Sequence, residues 1–220
     1  MKFTENEIRN AMLLYAITDR SWLKEGESLA GVCENVLKNG ATFLQIREKG
    51  LDGKAFEKEA GELKELCGRY HVPFVVNDSV EIAMDIGADG VHVGQSDIRG
   101  RDIRAMIGPD KILGISAGTV EEARAAENAG ADYIGVGAVF GTSTKKDARN
   151  LTIEKLQEIS GSVSIPVVAI GGINRGNVKE LKGSGVDGIA VISAIFAAED
   201  PGQAARELLE LSKETVYGNE

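Results

Sequence analysis

Acidic side chains follow two short apolar runs of the chain. Asp78 comes directly after the run PFVVN, and Asp97 comes two residues after the run GVHVGQ. Magnesium is typically bound by one or two protein carboxylates together with phosphate oxygens of a substrate. If the two runs are neighbouring strands, both carboxylates can therefore bind one hard cation. Each residue could instead cap a following helix, because Asp is favoured just before the first helical residue.

Cationic, amide and hydroxyl side chains follow other apolar runs. Arg47 and Lys49 come after the run TFLQI, and the segment 142–145, with the sequence TSTK, comes after the run YIGVG and a short linker. Such groups bind phosphate oxygens, although a plain solvated loop can have the same composition. Strand ends are exposed and often polar, so a single position carries little weight. Their repetition favours one shared polar site, whose further members would be Gln45, Asn77, Gln95 and Ser116.

Glycine and other small residues follow the last two apolar runs. The segments are GGI at 171–173 and ISAI at 192–195. In (βα)8 barrels, the loops after strands seven and eight often form a phosphate site from backbone N–H groups and a short extra helix. Glycine allows the backbone to approach the anion closely. The two segments therefore indicate a phosphorylated ligand.

The usual residues of acid–base and redox chemistry are scarce. His92 lies inside an apolar run and His71 lies beside a predicted loop, and we interpret both as structural. Cys33 and Cys67 lie in segments with helical spacing and have no CxxC pattern. A zinc or disulfide site is therefore not expected, and a reducing, cytoplasmic compartment is favoured.

The polar residues would be positioned by eight apolar runs that alternate with helical segments. In the segments 55–70 and 120–130, for example, apolar residues recur at helical spacing and the pattern ends near glycine. Eight such units in 220 residues leave about 27 residues for each, which is near the lower limit for a (βα)8 TIM barrel. The runs span 12–18, 42–47, 73–78, 90–95, 112–116, 133–137, 166–172 and 188–193.

A short phrase recurs before every second run and supports this count. It consists of glycine, a small apolar residue and then Thr or Asp, and its glycine suits the left-handed position after a helix end. An open doubly wound sheet is the alternative fold, but no run is a candidate antiparallel edge strand, which favours a closed barrel. We therefore predict one TIM-barrel domain over 1–220, with a helical extension at about 4–11. The copies are 40–42, 87–89, 130–132 and 185–187.

Composition and charge limit the partners that we expect. The chain has 220 residues, of which 43% are hydrophobic and 27% charged, and its formal net charge is −9. Such an acidic surface disfavours nonspecific binding to nucleic acid or to an anionic membrane. No segment approaches about 18 consecutive apolar residues and the N-terminal MKFTENEIRN has no apolar core, so we expect neither export nor a membrane span. Small molecules are the expected partners, and a homo-oligomer is left open.

Several blocks of the sequence, taken in order, resemble the thiamine-phosphate synthase family. The resemblance covers nearly the whole chain, and the blocks at 87–97 and 131–148 are the most distinctive. The blocks are YAITD (15–19), LQIREK (44–49), VND (76–78), GADGVHVGQSD (87–97), GIS (114–116), ADYIGVGAVFGTSTKKDA (131–148), PVVAIGGI (166–173) and GIAVISAI (188–195).

The resemblance implies a transferase that joins a hydroxymethylpyrimidine diphosphate to a thiazole phosphate and releases pyrophosphate in the presence of Mg²⁺. It implies that Asp78 and Asp97 bind the metal ion. It also implies that Ser116 and Lys145 contact the diphosphate, and we expect both to take part in catalysis. The other implied contacts are Gln45, Arg47, Lys49 and Asn77 for the pyrimidine diphosphate, and Thr142, Thr144, Gly172, Ile192 and Ser193 for the thiazole phosphate.

The implied reaction suits a site without a strong base. Departure of pyrophosphate leaves a benzylic-type cation on the pyrimidine methylene, and the ring amino group can delocalise that charge. The protein then has to stabilise the leaving diphosphate and place the thiazole nitrogen in line. This agrees with the lack of a convincing catalytic His or Cys.

Departures from the family pattern and other chemistries leave alternatives open. The family usually reads GPVFPT where residues 137–142 read GAVFGT, so the loop before Thr142 lacks the rigidity that two prolines give. Thiazole tautomerases have the same fold, but this sequence resembles them less, because they carry a His in place of Ala138 and lack the metal-binding Asp pair. Further alternatives are an isomerase or aldolase with Lys49 or Lys145 as base or Schiff-base amine, and a phosphate-binding regulator without catalysis.

Overall fold

Parallel strands close into a barrel in the computed structural model, which describes residues 3–141 and 151–218. The strands are β1 Leu14–Ile17, β2 Phe43–Ile46, β3 Phe74–Asn77, β4 Gly90–Val93, β5 Ile112–Ala117, β6 Tyr133–Gly137, β7 Val167–Ile170 and β8 Gly188–Val191. Each strand pairs with the next along the chain, and β1 also pairs with β8, which closes the ring. The predicted (βα)8 TIM barrel is therefore confirmed, and the open doubly wound sheet is wrong.

Helices alternate with the strands and cover the outside of the barrel. The α-helices are α1 Glu5–Ala11, α2 Leu29–Lys38, α3 Gly53–Tyr70, α4 Val80–Asp85, α5 Ile103–Ile107, α6 Val120–Asn128, α7 Ile153–Ser160, α8 Ser193–Phe196 and α9 Pro201–Tyr217. Short 3-10 helices span Arg20–Trp22 after β1 and Val178–Leu181 between β7 and β8. The second of these stands where the repeating pattern predicts an α-helix. Within the described ranges, none of the helices is both long and apolar enough to cross a membrane.

The recurring glycine phrase forms the same joint at the base of the barrel each time. All four of its glycines have a positive φ, a conformation that glycine adopts without the steric penalty of a Cβ atom. The third residue of each copy accepts a hydrogen bond of 2.7–3.0 Å from a backbone N–H at or next to the start of the preceding strand. We call these contacts the base joints: Thr42 with Leu14, Asp89 with Phe74, Asp132 with Leu113 and Asp187 with Val167.

The lower half of the barrel interior is filled by aromatic and apolar side chains. Tyr15, Phe43 and Tyr133 pack there with their ring centroids 4.3–5.8 Å apart. Ile8 and Ala11 of α1 are buried in the same cluster, so this helix covers the N-terminal end of the barrel. The C-terminal ends of the strands are left open for polar side chains.

Candidate active site

A cavity of about 630 Å³ opens at the C-terminal ends of the strands. Every strand end, or the loop that follows it, contributes to the lining, so the polar strand ends form one site rather than separate exposed positions. Three of the predicted site residues, Thr142, Thr144 and Lys145, lie outside the described residues. The predicted residues that line the cavity are Gln45, Arg47, Lys49, Asn77, Asp78, Asp97, Ser116, Gly172, Ile192 and Ser193.

Neither of the two predicted metal ligands caps a helix. The side chain of Ser79 caps α4 and that of Asp102 caps α5. Asp78 precedes the first cap and has a φ of 63°, which is uncommon for a residue other than glycine and is best tolerated by Asn and Asp. Asp97 accepts a hydrogen bond of 2.8 Å from the backbone N–H of Gly94. The helix-capping alternative is therefore wrong for both residues.

The donor set of the cavity fits a hard divalent cation. Asp78 and Asp97 both line it. In residues 3–141 and 151–218, the cavity included, no group of three or more His, Cys, Asp and Glu side chains is arranged to hold a metal ion, so a cation here would have two protein carboxylates. Two carboxylates are a protein contribution typical of Mg²⁺, which keeps water and substrate phosphate in its other positions. The pair therefore suits a magnesium ion that a phosphate ligand completes.

Positive charge enters the cavity from the end of β2. Gln45 of β2 lines the cavity, and so do Arg47 and Lys49, which follow the strand. The backbone N–H of Arg47 donates a hydrogen bond of 3.0 Å to the hydroxyl of Thr18, a fully buried residue just after β1. This contact fixes the backbone from which the two cations extend.

A chain of hydrogen bonds, which we call the floor network, crosses the floor of the cavity. The Gln45 amide donates to the Tyr15 hydroxyl at 2.6 Å, and this hydroxyl lies 2.7 Å from that of Tyr133. The His92 ring continues the chain, with Nδ1 3.0 Å from the Tyr133 hydroxyl and Nε2 2.9 Å from Oγ of Ser116. The floor network thereby links two predicted site residues, Gln45 and Ser116, through side chains of three other strands.

Burial keeps both phenols of the floor network protonated. It raises the pKa of Tyr15 and the pKa of Tyr133 well above their ordinary value. Each hydroxyl therefore keeps a proton to donate at neutral pH. Hydrogen bonds are stronger in such a low-dielectric environment, and a satisfied network is rigid, so Gln45 and Ser116 are held in fixed positions.

Sequence reasoning missed Tyr15, Tyr133 and His92 as parts of the site. His92, interpreted as structural, lines the cavity. A signal was present in the glycines of neighbouring strands, because a Cβ atom at Gly114 would lie 2.2 Å from the Tyr133 ring and 2.6 Å from Nδ1 of His92. Glycine inside a strand often marks the close approach of another group. A polar strand residue beside such a glycine is thus a candidate for the barrel interior.

The loop after β7 forms the opposite end of the cavity around Gly172. Its φ is 67°, and an added Cβ atom would lie 2.4 Å from the carbonyl oxygen of Gly141 and 2.7 Å from that of Phe140. The side-chain amides of Asn174 and Asn177 donate hydrogen bonds of 3.1 and 3.0 Å to the Gly172 carbonyl. The peptide at Gly172 is therefore held in one orientation beside Ile192 and Ser193 of the lining.

The loop after β6 is anchored without the two family prolines. The N–H groups of Val139 and Phe140 donate to the carbonyls of Ile170 and Gly171 at 3.0 and 2.9 Å, and the N–H of Leu151 donates to the Ala138 carbonyl at 2.7 Å. Backbone hydrogen bonds to the end of β7 thus fix residues 138–140. None of these three donors is at position 138 or 141, where the family has proline, so the bonds do not depend on which residues stand there.

Comparison with known proteins places these features in a family. A family model described as thiamine monophosphate synthase matches residues 14–195. The thiamine-phosphate synthase of Clostridium tetani is 48% identical over 195 residues, which are 89% of this chain and 93% of that protein. The thiamine-phosphate synthase of Ruminiclostridium cellulolyticum is 48% identical over 198 residues, 90% of this chain and 94% of that protein.

A solved structure shows the same fold at high identity. It is the thiamine phosphate pyrophosphorylase from Pyrococcus furiosus, with a TM-score of 0.86 and 41% sequence identity. The match covers 95% of this chain and 99% of the other. The similarity thus includes the barrel and all of the described strand ends that line the cavity.

Proposed function

Because the chain belongs to the thiamine monophosphate synthase family and is a transferase, we propose that it forms thiamine phosphate from a hydroxymethylpyrimidine diphosphate and a thiazole phosphate. The observation that carries the proposal is the placement of Asp78, Asp97, Arg47 and Lys49 in one cavity with the Gly172 loop. A cationic, metal-binding end suits a diphosphate, and an end with neutral backbone donors suits a monophosphate. The buried, free cysteines accord with a cytoplasmic location.

The diphosphate end serves the departure of the leaving group. The bond between the pyrimidine methylene carbon and the diphosphate oxygen breaks, and its electron pair goes to the diphosphate. Arg47 and Lys49 stabilise the negative charge that develops there, in a preorganised arrangement that needs no reorganisation during the reaction. A magnesium ion, which Asp78 and Asp97 would hold, supplies further positive charge to the diphosphate when bound. Lys145 remains a predicted additional contact.

The floor network serves the pyrimidine ring. Ring nitrogens and an exocyclic amino group need both donors and acceptors, and Gln45, Ser116 and Asn77 supply both at the cavity surface. Tyr15 and Tyr133 do not bind the ring in this proposal but hold Gln45 in place. Fixed donors and acceptors orient the methylene carbon, and exclusion of water protects the cation that forms there.

The Gly172 end places the second substrate. Its phosphate would accept hydrogen bonds from backbone N–H groups at Gly172 and Ser193, with Thr142 and Thr144 as further predicted contacts. The thiazole nitrogen donates its lone pair to the methylene cation, so the new carbon–nitrogen bond forms after the bond to pyrophosphate has broken. No proton has to be removed in this step, which explains how the site functions without a general base.

Incubation of the purified protein with both substrates and MgCl2 tests the proposal. We expect thiamine phosphate and pyrophosphate in equal amounts, and no pyrophosphate when the thiazole phosphate is omitted and the reaction is followed over the same time. Absence of both products with both substrates present would overturn the proposed function. Borohydride trapping of a phosphorylated aldehyde or ketone on Lys49 would support the aldolase alternative instead.

Residue 138 argues against the tautomerase alternative. Ala138 lines the cavity and is buried, and its methyl group cannot transfer a proton. A tautomerase needs a group that moves a proton at this substrate. We therefore propose that the protein does not isomerise a thiazole carboxylate phosphate.

A further inference from the structure

Glu48 lies between Arg47 and Lys49, which follow β2, and its side chain points away from the cavity. Its side chain is only 4% exposed and does not contribute to the described lining. Oε1 accepts hydrogen bonds from the backbone N–H groups of Lys49 at 3.0 Å and Gly50 at 3.3 Å. The carboxylate thus holds the turn that directs Lys49 back towards the cavity.

Arg20 and Glu59 hold this carboxylate from two other elements. Nε of Arg20, in the 3-10 helix after β1, lies 3.0 Å from Oε2 of Glu48, at ion-pair distance but without the alignment of a hydrogen bond. Nη2 of Arg20 donates to Glu59 Oε1 on α3 at 2.9 Å. We call Arg20, Glu48 and Glu59 the clamp, because together they connect the end of β2 to the segments on both sides of it.

Stability alone does not account for the clamp. Burial raises the pKa of Glu59. The positive charge of Arg20 lowers this pKa, and the neighbouring Glu48 raises it further. Oε2 of Glu48 and Oε2 of Glu59 accept no hydrogen bond from a nitrogen donor, and the contact between the two carboxyl groups is one of the causes that raise the pKa of Glu59. Buried charged groups are often replaceable by apolar residues with no loss of stability. The arrangement therefore requires a reason other than the free energy of unfolding.

The clamp and the side chains that line the cavity lie on opposite faces of the segment 45–49. Side chains at 45, 47 and 49 face the cavity, while those at 46 and 48 face outward. We propose that Glu48, held by Arg20 and Glu59, is a positioning residue that fixes Arg47 and Lys49 for the diphosphate substrate. The inference rests on the proposed function, since it assigns the diphosphate to this end of the cavity.

Charge and positioning make opposite predictions for the loss of a carboxylate. Glu48→Gln removes a negative charge between Arg47 and Lys49, so a purely electrostatic effect would tighten the binding of an anion. If the clamp positions the cations, the same variant weakens anion binding. In Glu48→Gln, the new amide has a single oxygen, which cannot accept from the turn and also face Arg20.

Calorimetric titration with inorganic pyrophosphate in the presence of MgCl2 measures whether loss of the carboxylate weakens or tightens anion binding. We expect about tenfold weaker binding by Glu48→Gln, as for other residues that support a binding group from behind. The KM for the pyrimidine diphosphate should rise by a similar factor, and the KM for the thiazole phosphate should stay within about twofold. Arg20→Lys keeps the charge but loses the planar fork, so we expect weaker pyrophosphate binding there too.

Asp187→Asn is the matched control for Glu48→Gln. Asp187 likewise accepts from a backbone N–H, that of Val167 at 2.7 Å, and from an arginine, Nη1 of Arg9 at 2.7 Å, but it lies at the N-terminal end of the barrel and does not line the cavity. Its pyrophosphate affinity should equal that of the wild type. Unchanged or tighter binding by Glu48→Gln and Arg20→Lys would overturn the proposal.

Two comparisons separate the clamp from other failures. If Glu48→Gln does not fold, Arg20→Lys decides the test, because it retains Glu48 and the positive charge but loses the planar fork that holds this carboxylate. A wild-type protein that forms no thiamine phosphate would refute the proposed function. An active wild type whose clamp variants keep their pyrophosphate affinity would refute the clamp alone.

Discussion

The phenol oxygens of Tyr15 and Tyr133 lie 2.7 Å apart at the centre of the barrel, on strands that are not neighbours. Both side chains are almost completely buried. Their contact joins the Gln45 side of the floor network to the His92 side. This hydrogen bond therefore connects the aromatic cluster in the lower half of the barrel with the polar side chains of the cavity.

Removal of the Tyr133 hydroxyl should lower the free energy of unfolding. Tyr133→Phe leaves the Tyr15 hydroxyl and Nδ1 of His92 each without one partner, so we expect the free energy of unfolding to fall by about 1–3 kcal/mol. Urea denaturation measures this change. Tyr70→Phe is the control, since its hydroxyl bonds to Glu34 at the surface, and we expect a loss below about 1 kcal/mol. An equal loss in both variants would contradict a special role of the floor network.

The predicted metal ligands should show a large loss of rate and a small loss of stability. Asp78→Asn and Asp97→Asn keep side-chain size and the tolerance for a positive φ but remove the charge, so we expect turnover to fall about a hundredfold or more. Steady-state kinetics at varied MgCl2 checks this. Asp102→Ala should behave in the opposite way, because Asp102 caps α5 and its loss costs about 1 kcal/mol of stability. Normal rates and normal Mg²⁺ dependence in both Asn variants would show that the metal site lies elsewhere.

A methyl group at Gly172 should impair the thiazole phosphate end. Gly172→Ala brings a Cβ atom against the carbonyls of Phe140 and Gly141, so the loop has to move and we expect the KM for thiazole phosphate to rise about tenfold. Gly183→Ala is matched in backbone strain, with a φ of 80° and open space around the added atom. It should lower stability without changing that KM. A rise of both KM values in Gly172→Ala would contradict the division of the cavity into two ends.

The raised pKa of Glu59 predicts the pH dependence of stability. Because burial raises this pKa above its ordinary value of 4.5, the native state binds a proton more tightly than the unfolded state. The contribution of Glu59 to stability is therefore fully present below pH 4.5 and is lost as the pH rises through the native pKa. Glu59→Gln should gain stability relative to the wild type between pH 4 and pH 7. Chemical denaturation at both pH values measures the difference, and a gap that shrinks with rising pH would exclude a raised pKa.

The fold was predictable because its pattern is local and repeated. Apolar runs separated by helical spacing predict each strand to within a few residues, and the phrase that begins at Gly40 has a glycine with a positive φ in every copy. The 3-10 helix Val178–Leu181 was not predicted as such. A hydrophobic pattern indicates a helical segment there but does not distinguish a short 3-10 helix from a short α-helix.

The candidate site was predictable where residues follow strands, and less so where they lie within them. Asp78 and Arg47 stand at strand ends, where barrels place their chemistry, and the cavity contains both. Tyr15 and His92 stand inside apolar runs, so only knowledge of neighbouring strands shows that they face the interior. The partners of Glu48 could not be predicted either, because they are remote in the chain. Arg20 lies before β2 and Glu59 lies on α3.

Each base joint connects the two strands of one quarter of the barrel: β1 with β2, β3 with β4, β5 with β6 and β7 with β8. A quarter exchanged with that of a relative would therefore bring its own joint along, and no base joint crosses the boundaries between quarters. Recombination at these boundaries would vary the rim, where the chemistry lies, without separating the two partners of any joint. The architecture is in this sense modular, although the polypeptide is continuous.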